Sequence, residues 1–173
     1  PVDVPKEQNP KEMGMKFAQE TQKVLGKNLM GTIQNKGVED AVVFCNERAY
    51  PLTDSMATNF NAQIRRVSDK PRNPKNAANA SELAYIETFK KEVAAGGSMK
   101  PILKEENGKV YFYYPIVTNS MCLNCHGTPG KTIQPNVVQQ LSRLYPDDKA
   151  LGYNENEVRG IWSIVFDTPK DSD

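Results

Sequence analysis

Apolar residues recur at three- and four-residue steps along the first third of the chain, the spacing of helices that bury one face. The first stripe predicts a long helix over residues 11–36, with Gly37 as its C-cap. A second stripe predicts a helix over residues 38–49. Pro51 is expected to end this helix and to start a short one over residues 52–60, because proline disrupts a helix interior.

The rest of the chain mixes strand and helix patterns. Asn79 and Glu82 have the spacing of a capping box, and Asn107-Gly108 is a strong hairpin signal. Alternation of apolar and polar residues predicts strands, and three-to-four spacing predicts further helices; the strands cover residues 62–68, 101–106, 109–118 and 158–166, and the helices begin near residues 79 and 135. This mixture predicts a single α+β domain over residues 11–168, with an antiparallel sheet and flanking helices.

One C-x-x-C-H motif is formed by Cys122, Cys125 and His126. In such a motif each cysteine sulfur bonds to a haem vinyl group, and the histidine that follows ligates the iron. His126 is the only histidine in the chain, which makes its place directly after the cysteines informative. The motif predicts one covalently attached haem c, with His126 as an iron ligand.

Three other chemistries use cysteines at this spacing. A redox-active dithiol normally lies in a βαβ context, which the predicted elements do not contain. A zinc site would take Cys45 as its third sulfur, but adjacent residues such as Cys125 and His126 rarely ligate one tetrahedral ion. A disulfide between Cys122 and Cys125 is a further alternative. Covalent haem is favoured over all three because of the histidine.

The second axial ligand has several candidates, although bis-histidine ligation is excluded because the chain has one histidine. Cys45 lies on the inward face of the helix predicted over residues 38–49, where a cysteine is as often a small buried hydrophobe. A lysine, a tyrosine, water or one of six methionines are the other candidates; the methionines are Met13, Met15, Met30, Met56, Met99 and Met121.

Two further segments can contact the haem. Residues 70–77 are too rich in turn residues for regular structure, and Arg72 and Asn73 can donate hydrogen bonds to haem propionates, although a solvated loop is equally compatible. On the strand over residues 109–118, Tyr114 belongs to one of two apolar rows, and one row is expected to pack on the porphyrin. Such rows are also typical of ordinary core, so the pattern does not choose between them.

Composition restricts the partners and the location. The 22 basic and 21 acidic residues are nearly balanced, which argues against nucleic-acid binding. No run reaches the roughly 18 apolar residues of a membrane span. Haem c is attached outside the bacterial cytoplasm, so we expect a periplasmic or other extracytoplasmic location and a targeting segment that this chain does not carry. Residues 1–10 and 169–173 are predicted to be flexible tails.

Several ordered segments resemble the bacterial and cyanobacterial PAS-like c-type haem domains, and the similarity covers roughly residues 15–166. The matching segments are Phe44-Cys45-Asn46, residues 72–77, residues 114–117 with Cys122 to Gly127, residues 144–153, and Val158-Arg159-Gly160. The resemblance implies a PAS-like fold. It also implies that the iron has His126 on one side and the thiolate of Cys45 on the other.

Related domains occur alone and as sensor modules of signalling proteins, so we expect a sensor of redox state or of a diatomic gas, with an unknown redox or signalling partner. The alternative is a soluble periplasmic electron-transfer cytochrome. An enzyme such as a peroxidase is not expected, because it needs an open iron position and usually a distal base.

Overall fold

The computed structural model describes residues 9–170 and combines helices with one antiparallel sheet. The helices within this range are α1 (Pro10–Lys36), α2 (Val38–Phe60), α3 (Ala80–Ala94), α4 (Leu123–His126) and α5 (Pro135–Leu144). The strands are β1 (Gln63–Val67), β2 (Ile102–Glu106), β3 (Lys109–Val117) and β4 (Val158–Asp167), in the order β1-β4-β3-β2. The predicted α+β class, antiparallel sheet and long N-terminal helix are confirmed, whereas the PAS-like assignment stays a prediction.

Helix α1 begins one residue earlier than predicted. Asn9 is its N-cap, and the Asn9 side chain accepts a hydrogen bond from the backbone N–H of Lys11 at 2.9 Å. The predicted tails over residues 1–10 and 169–173 fall largely outside the described residues, which exclude 1–8 and 171–173.

The prediction that Pro51 ends a helix is wrong, because α2 runs without a break from residue 38 to residue 60. Proline removes one backbone N–H, and the carbonyl left without its helical partner is that of Glu47. Pro51 and Glu47 are both exposed, so water can hydrogen-bond to that carbonyl. The helix therefore tolerates the proline on its outer side.

The sheet has two buried faces, and β3 contributes an apolar row to each. The first, which we call the α1/α2 face, packs against the two N-terminal helices; its core is Phe17, Ala18, Ile64, Val110, Phe112, Trp162, Ile164 and Phe166. The second, the α3 face, packs against α3; its core is Val67, Ile86, Phe89, Tyr113, Val158 and Ile161. Gly14 lets α1 approach β3, since a Cβ atom there would collide with the ring of Phe112.

Two local sequence signals set the turn between β2 and β3 and the start of α3. Asn107 and Gly108 both have positive φ, 52° and 72°, which suits the tight turn between β2 and β3. The predicted capping box is present: the Asn79 side chain accepts from the N–H of Glu82, and the Glu82 carboxylate accepts from the N–H of Asn79.

A third cluster joins α2 to the segment that follows the haem motif. It consists of Val42, Ile133, Val137, Leu141 and Tyr145, with Cys125 packed against it. The loop predicted over residues 70–77 contains a short 3-10 helix at Pro74–Asn76, so the prediction of no regular structure is wrong at these residues. Within residues 9–170, every helix is too short or too polar to span a membrane.

Candidate haem-binding site

The C-x-x-C-H motif lies on a helical segment, residues 120–126, which we call the motif helix. A 3-10 turn at Ser120–Cys122 leads directly into α4, and Asn119 is the cap of this turn. The Asn119 side-chain oxygen accepts from the backbone N–H of Cys122 and from its Sγ, both at 3.2 Å. Asn119 therefore orients the first cysteine of the motif.

The motif helix ends at Gly127, a position at which a side chain would not fit. A Cβ atom would collide with the side chain of Thr132 and with the carbonyl oxygen of Leu123. The backbone N–H of Gly127 donates to that carbonyl at 3.0 Å, and the Thr132 hydroxyl accepts from the N–H of Thr128 at 2.8 Å. The chain thus turns immediately after His126.

Residues 150–153 hold His126 from the other side. The backbone N–H of Tyr153 donates to the His126 carbonyl at 2.9 Å, and that of Gly152 donates to the Gly127 carbonyl at 2.8 Å. His126 Nδ1 lies 2.9 Å from the carbonyl oxygen of Ala150. A carbonyl can only accept, so Nδ1 carries the proton and Nε2 is left with a lone pair. This is the tautomer in which a histidine ligates a metal through Nε2.

Arg72 connects the loop over residues 70–77 with the motif helix and with residues 148–150. Its Nε donates to the Asp148 carboxylate at 3.0 Å, and its Nη2 donates to the carbonyls of Ala150, at 3.1 Å, and Cys125. Arg72 and Asp148 are both nearly buried, with 11% and 8% of their side chains exposed. Asn73 instead caps the 3-10 helix by accepting from the N–H of Lys75. The propionate contacts of Arg72 and Asn73 stay predictions.

Arg159 places a positive charge beside the histidine ring. Its Nε lies 3.2 Å from His126 Nδ1, and its Nη1 donates to the Ser68 hydroxyl and the Lys70 carbonyl. Because Nδ1 donates to Ala150, Arg159 influences the ring through charge and not as a hydrogen-bond donor. Burial lowers the pKa of His126 well below its ordinary value, and the charges of Arg159 and Arg72 act in the same direction. The ring is therefore neutral at pH 7, as a metal ligand requires.

Cys45 lies on α2 on the same side of the molecule as the motif helix. Burial raises the pKa of the Cys45 thiol, while the charges of Arg66 and Arg72 oppose that rise. Burial also raises the pKa of Cys125 to about 11, and Cys45 contributes to this rise. The two cysteines therefore share one environment, and α2 contacts α4 directly.

The alternative chemistries gain no support from the geometry. Cys45, Cys122 and Cys125 are free thiols, so the disulfide is not formed. Within residues 9–170, no group of three histidine, cysteine, aspartate or glutamate side chains is placed to hold a metal ion. The zinc arrangement of Cys45, Cys122, Cys125 and His126 would need such a group.

The charges of the site fit a haem. Arg159 donates to the neutral oxygens of Ser68 and Lys70, and Arg66 has no hydrogen-bond or ion-pair partner within the described part of the chain. Asp148 is the carboxylate that pairs with Arg72. Positive charge therefore exceeds negative charge around Cys45 and His126. A haem with its propionates and a cysteine thiolate would supply the missing negative charge.

Tyr114 lies on the α1/α2 face of β3, partly buried and directly opposite Trp162 of β4. The structure therefore places it on the side of the sheet that α2, the helix of Cys45, covers. Its contact with the porphyrin stays a prediction.

Sequence reasoning missed several residues that shape the site: Arg66, Asn119, Asp148, Ala150, Tyr153 and Arg159. Asp148, Ala150, Tyr153 and Arg159 lie in segments that carried the family resemblance, but no role was predicted for them. Ala150 acts through its backbone carbonyl, which side-chain chemistry does not reveal. Tyr153 acts through its backbone N–H and through its ring, which lies edge-on to the His126 ring and beneath the Arg159 guanidinium. Asn119 carried a readable signal, because asparagine is a preferred N-cap residue.

The fold and the site together define an α+β domain with a cysteine-bearing helix beside a C-x-x-C-H helix. The sequence matches the model of the Tll0287-like family over residues 5–166, so the chain belongs to that family. Among solved structures it is similar to the cyanobacterial haem protein Tll0287, with a TM-score of 0.66 and 19% sequence identity over 95% of this chain and 99% of that one. At this identity the likeness establishes the fold alone. Comparison with curated proteins gives no match.

Proposed function

We propose that this protein binds one haem c covalently through Cys122 and Cys125, with His126 and Cys45 as the axial iron ligands. The observation that carries the proposal is the geometry of His126. Its Nδ1–H is held by Ala150 while Nε2 is free, directly after the two cysteines. Membership of a family named after a haem protein supports the haem-binding part of the proposal.

A bound haem supplies one-electron redox chemistry and an iron centre that can take a small ligand. The chain's own residues would set its properties. The negative charge of a Cys45 thiolate favours Fe(III) over Fe(II), so we expect a low reduction potential for a haem c. Ala150 and Arg72 hold the motif helix, and Arg159 limits the negative charge that can build up on the His126 ring.

We infer a sensing role from the helix that carries Cys45. Helix α2 packs on both α1 and α5, so a change at Cys45 would be passed to two other helices. Because the positive charge of the iron would hold the thiolate, Cys45 would be held less tightly in the reduced state. Cys45 would then loosen, and the iron would accept carbon monoxide or nitric oxide. We propose a redox or diatomic-gas sensor located outside the cytoplasm.

Covalent attachment is tested by expression together with a haem maturation system. The protein should gain the mass of one haem and keep its colour after acid-acetone extraction, and Cys122→Ser with Cys125→Ser should release the haem. Zinc in place of iron in the matured protein would overturn the proposal.

The ligands and the role are tested spectroscopically. Ferric protein should show a low-spin thiolate spectrum that Cys45→Ala removes. Ferrous protein should bind carbon monoxide rapidly with loss of the thiolate signature. A ferrous state that stays six-coordinate, excludes carbon monoxide and exchanges electrons quickly would instead indicate an electron carrier.

A further inference from the structure

Three polar side chains form a row across the α1/α2 face of the sheet. Arg66 of β1 lies opposite Trp162 of β4, and Trp162 lies opposite Tyr114 of β3. Directly paired residues in an antiparallel sheet have Cβ atoms about 5 Å apart, so the three side chains are immediate neighbours. The face on which they lie is the one that α2 covers.

Arg66 is a cation without an anion. It has no hydrogen-bond or ion-pair partner among residues 9–170, although it is partly buried. Its neighbour Arg65 points to the α3 face, where its Nη1 lies 3.7 Å from the Glu82 carboxylate. A guanidinium that is partly withdrawn from water is more stable with an anion beside it, and the described residues supply none.

Trp162 offers a second donor without an acceptor. Its side chain is 2% exposed, and its indole Nε1 is buried with no hydrogen-bond partner in the described part of the chain. Buried indole N–H groups normally have an acceptor. Two neighbouring donors that both lack acceptors indicate one shared acceptor.

The surroundings of Arg66 show where that acceptor would come from. Burial lowers the pKa of Arg66, while Cys45, Tyr50 and Tyr145 act in the opposite direction, and none of these three groups is a carboxylate. Arg66 therefore faces the region of the Cys45 ligand. Within the same region, the guanidinium of Arg72 is already engaged by Asp148 and two backbone carbonyls.

We propose that Arg66 and the indole N–H of Trp162 together bind a propionate carboxylate of the haem. This proposal rests on the proposed function, because it requires haem at the site. A planar carboxylate matches the fork of an arginine and leaves an oxygen lone pair for the indole N–H. Arg66 then takes the role that the sequence suggested for Arg72 and Asn73. A Cys45 thiolate is the other anion within reach, and the experiment separates the two sources.

The test compares Arg66→Gln with Arg65→Gln in covalently matured holoprotein. Arg65 is the matched control, since it is the same residue type one position away on the opposite face of the sheet. Arg66→Gln should shift the propionate bending band in the resonance Raman spectrum and lower the midpoint potential, because a positive charge near the iron is lost. Arg65→Gln should leave both unchanged. Trp162→Phe should shift the same band by a smaller amount.

A Cys45→Ala background distinguishes the two anions. With a propionate partner, Arg66→Gln shifts the band and the potential by similar amounts whether Cys45 is present or absent. An unchanged propionate band, or shifts that vanish with Cys45, would overturn the proposal. Failure of the wild-type protein to hold covalent haem would instead refute the proposed function, so the two failures are distinguishable.

Discussion

The two faces of the sheet treat their charged groups differently. On the α3 face, one Glu82 carboxylate oxygen lies near Arg65 and caps α3, although the other oxygen has no partner within the described residues. On the α1/α2 face, Arg66 and the Trp162 indole have no partner within that range either, and the cations near His126 outnumber the carboxylates. Arg65 on the α3 face therefore has a carboxylate beside it, whereas Arg66 on the α1/α2 face has none among residues 9–170, and it is there that we propose a haem propionate binds.

From this difference we expect substitutions on one face to affect mainly the stability of the protein, and substitutions on the other to affect mainly the properties of the haem. Substitutions around α3 should lower the free energy of unfolding and leave the haem spectrum unchanged. Substitutions around His126 and Cys45 should change the spectrum or the midpoint potential, with or without an effect on stability.

Arg72→Leu should have the largest effect. It leaves the buried Asp148 carboxylate without its partner, and breaking a buried ion pair in this way costs about 3–5 kcal/mol. It also releases the carbonyls of Cys125 and Ala150, so His126 loses its fixed orientation. Chemical denaturation and the ferric spectrum of the holoprotein measure the two effects. Arg143→Leu, on the exposed side of α5, is the control, and equal behaviour of the two variants would contradict the role given to Arg72.

Phe89→Ala should match that loss of stability without the spectral change. Phe89 is completely buried in the α3 face, and truncation of a buried phenylalanine costs about 3–5 kcal/mol. The same denaturation experiment gives the free energy, and the spectrum should equal that of the wild type. A changed ferric spectrum in Phe89→Ala would show that the two faces are not independent.

The sequence predicted the sheet better than it predicted the site. Alternation and the Asn107-Gly108 turn located β2 and β3, because period-two patterns and hairpin turns are local signals. Pro51 misled the prediction of α2, since the solvent exposure that makes this proline tolerable is a property of the packed structure. The C-x-x-C-H motif predicted Cys122, Cys125 and His126 as haem-binding residues because that chemistry requires fixed spacing, and this assignment stays a prediction.

The remaining parts of the site depend on contacts between distant segments. Arg72 contacts Asp148 and Ala150 across more than 70 residues, at separations of 76 and 78. Arg66 becomes significant only when the register of β1 with β4 places it beside Trp162. No pattern along the chain indicates which of two adjacent arginines faces α2.

Arg159→Gln should change the haem more than the stability. With His126 as the proposed iron ligand, loss of the charge beside it would let the ring donate more strongly to the iron, which would favour Fe(III) and lower the midpoint potential. Arg159→Lys should restore most of the potential, because it keeps a cation near the ring. Redox titration of the three proteins provides the measurement. If Arg159→Gln has the midpoint potential of the wild type, the guanidinium does not influence the haem and only donates hydrogen bonds to Ser68 and Lys70.

We expect the smallest effects when the capping asparagine of either of two helices is replaced by alanine. Asn79 and Asn119 are both capping asparagines, and replacement of either by alanine should cost roughly 1 kcal/mol, measured by denaturation. Asn79→Ala should leave haem attachment and spectrum unaltered, because α3 packs on the face of the sheet opposite to the one covered by α2, the helix of Cys45. Asn119→Ala frees the sulfur of Cys122 from its 3.2 Å contact, so the covalently attached fraction should fall after maturation. Equal haem content in the two variants would mean that the cap stabilises the motif helix without orienting its first cysteine.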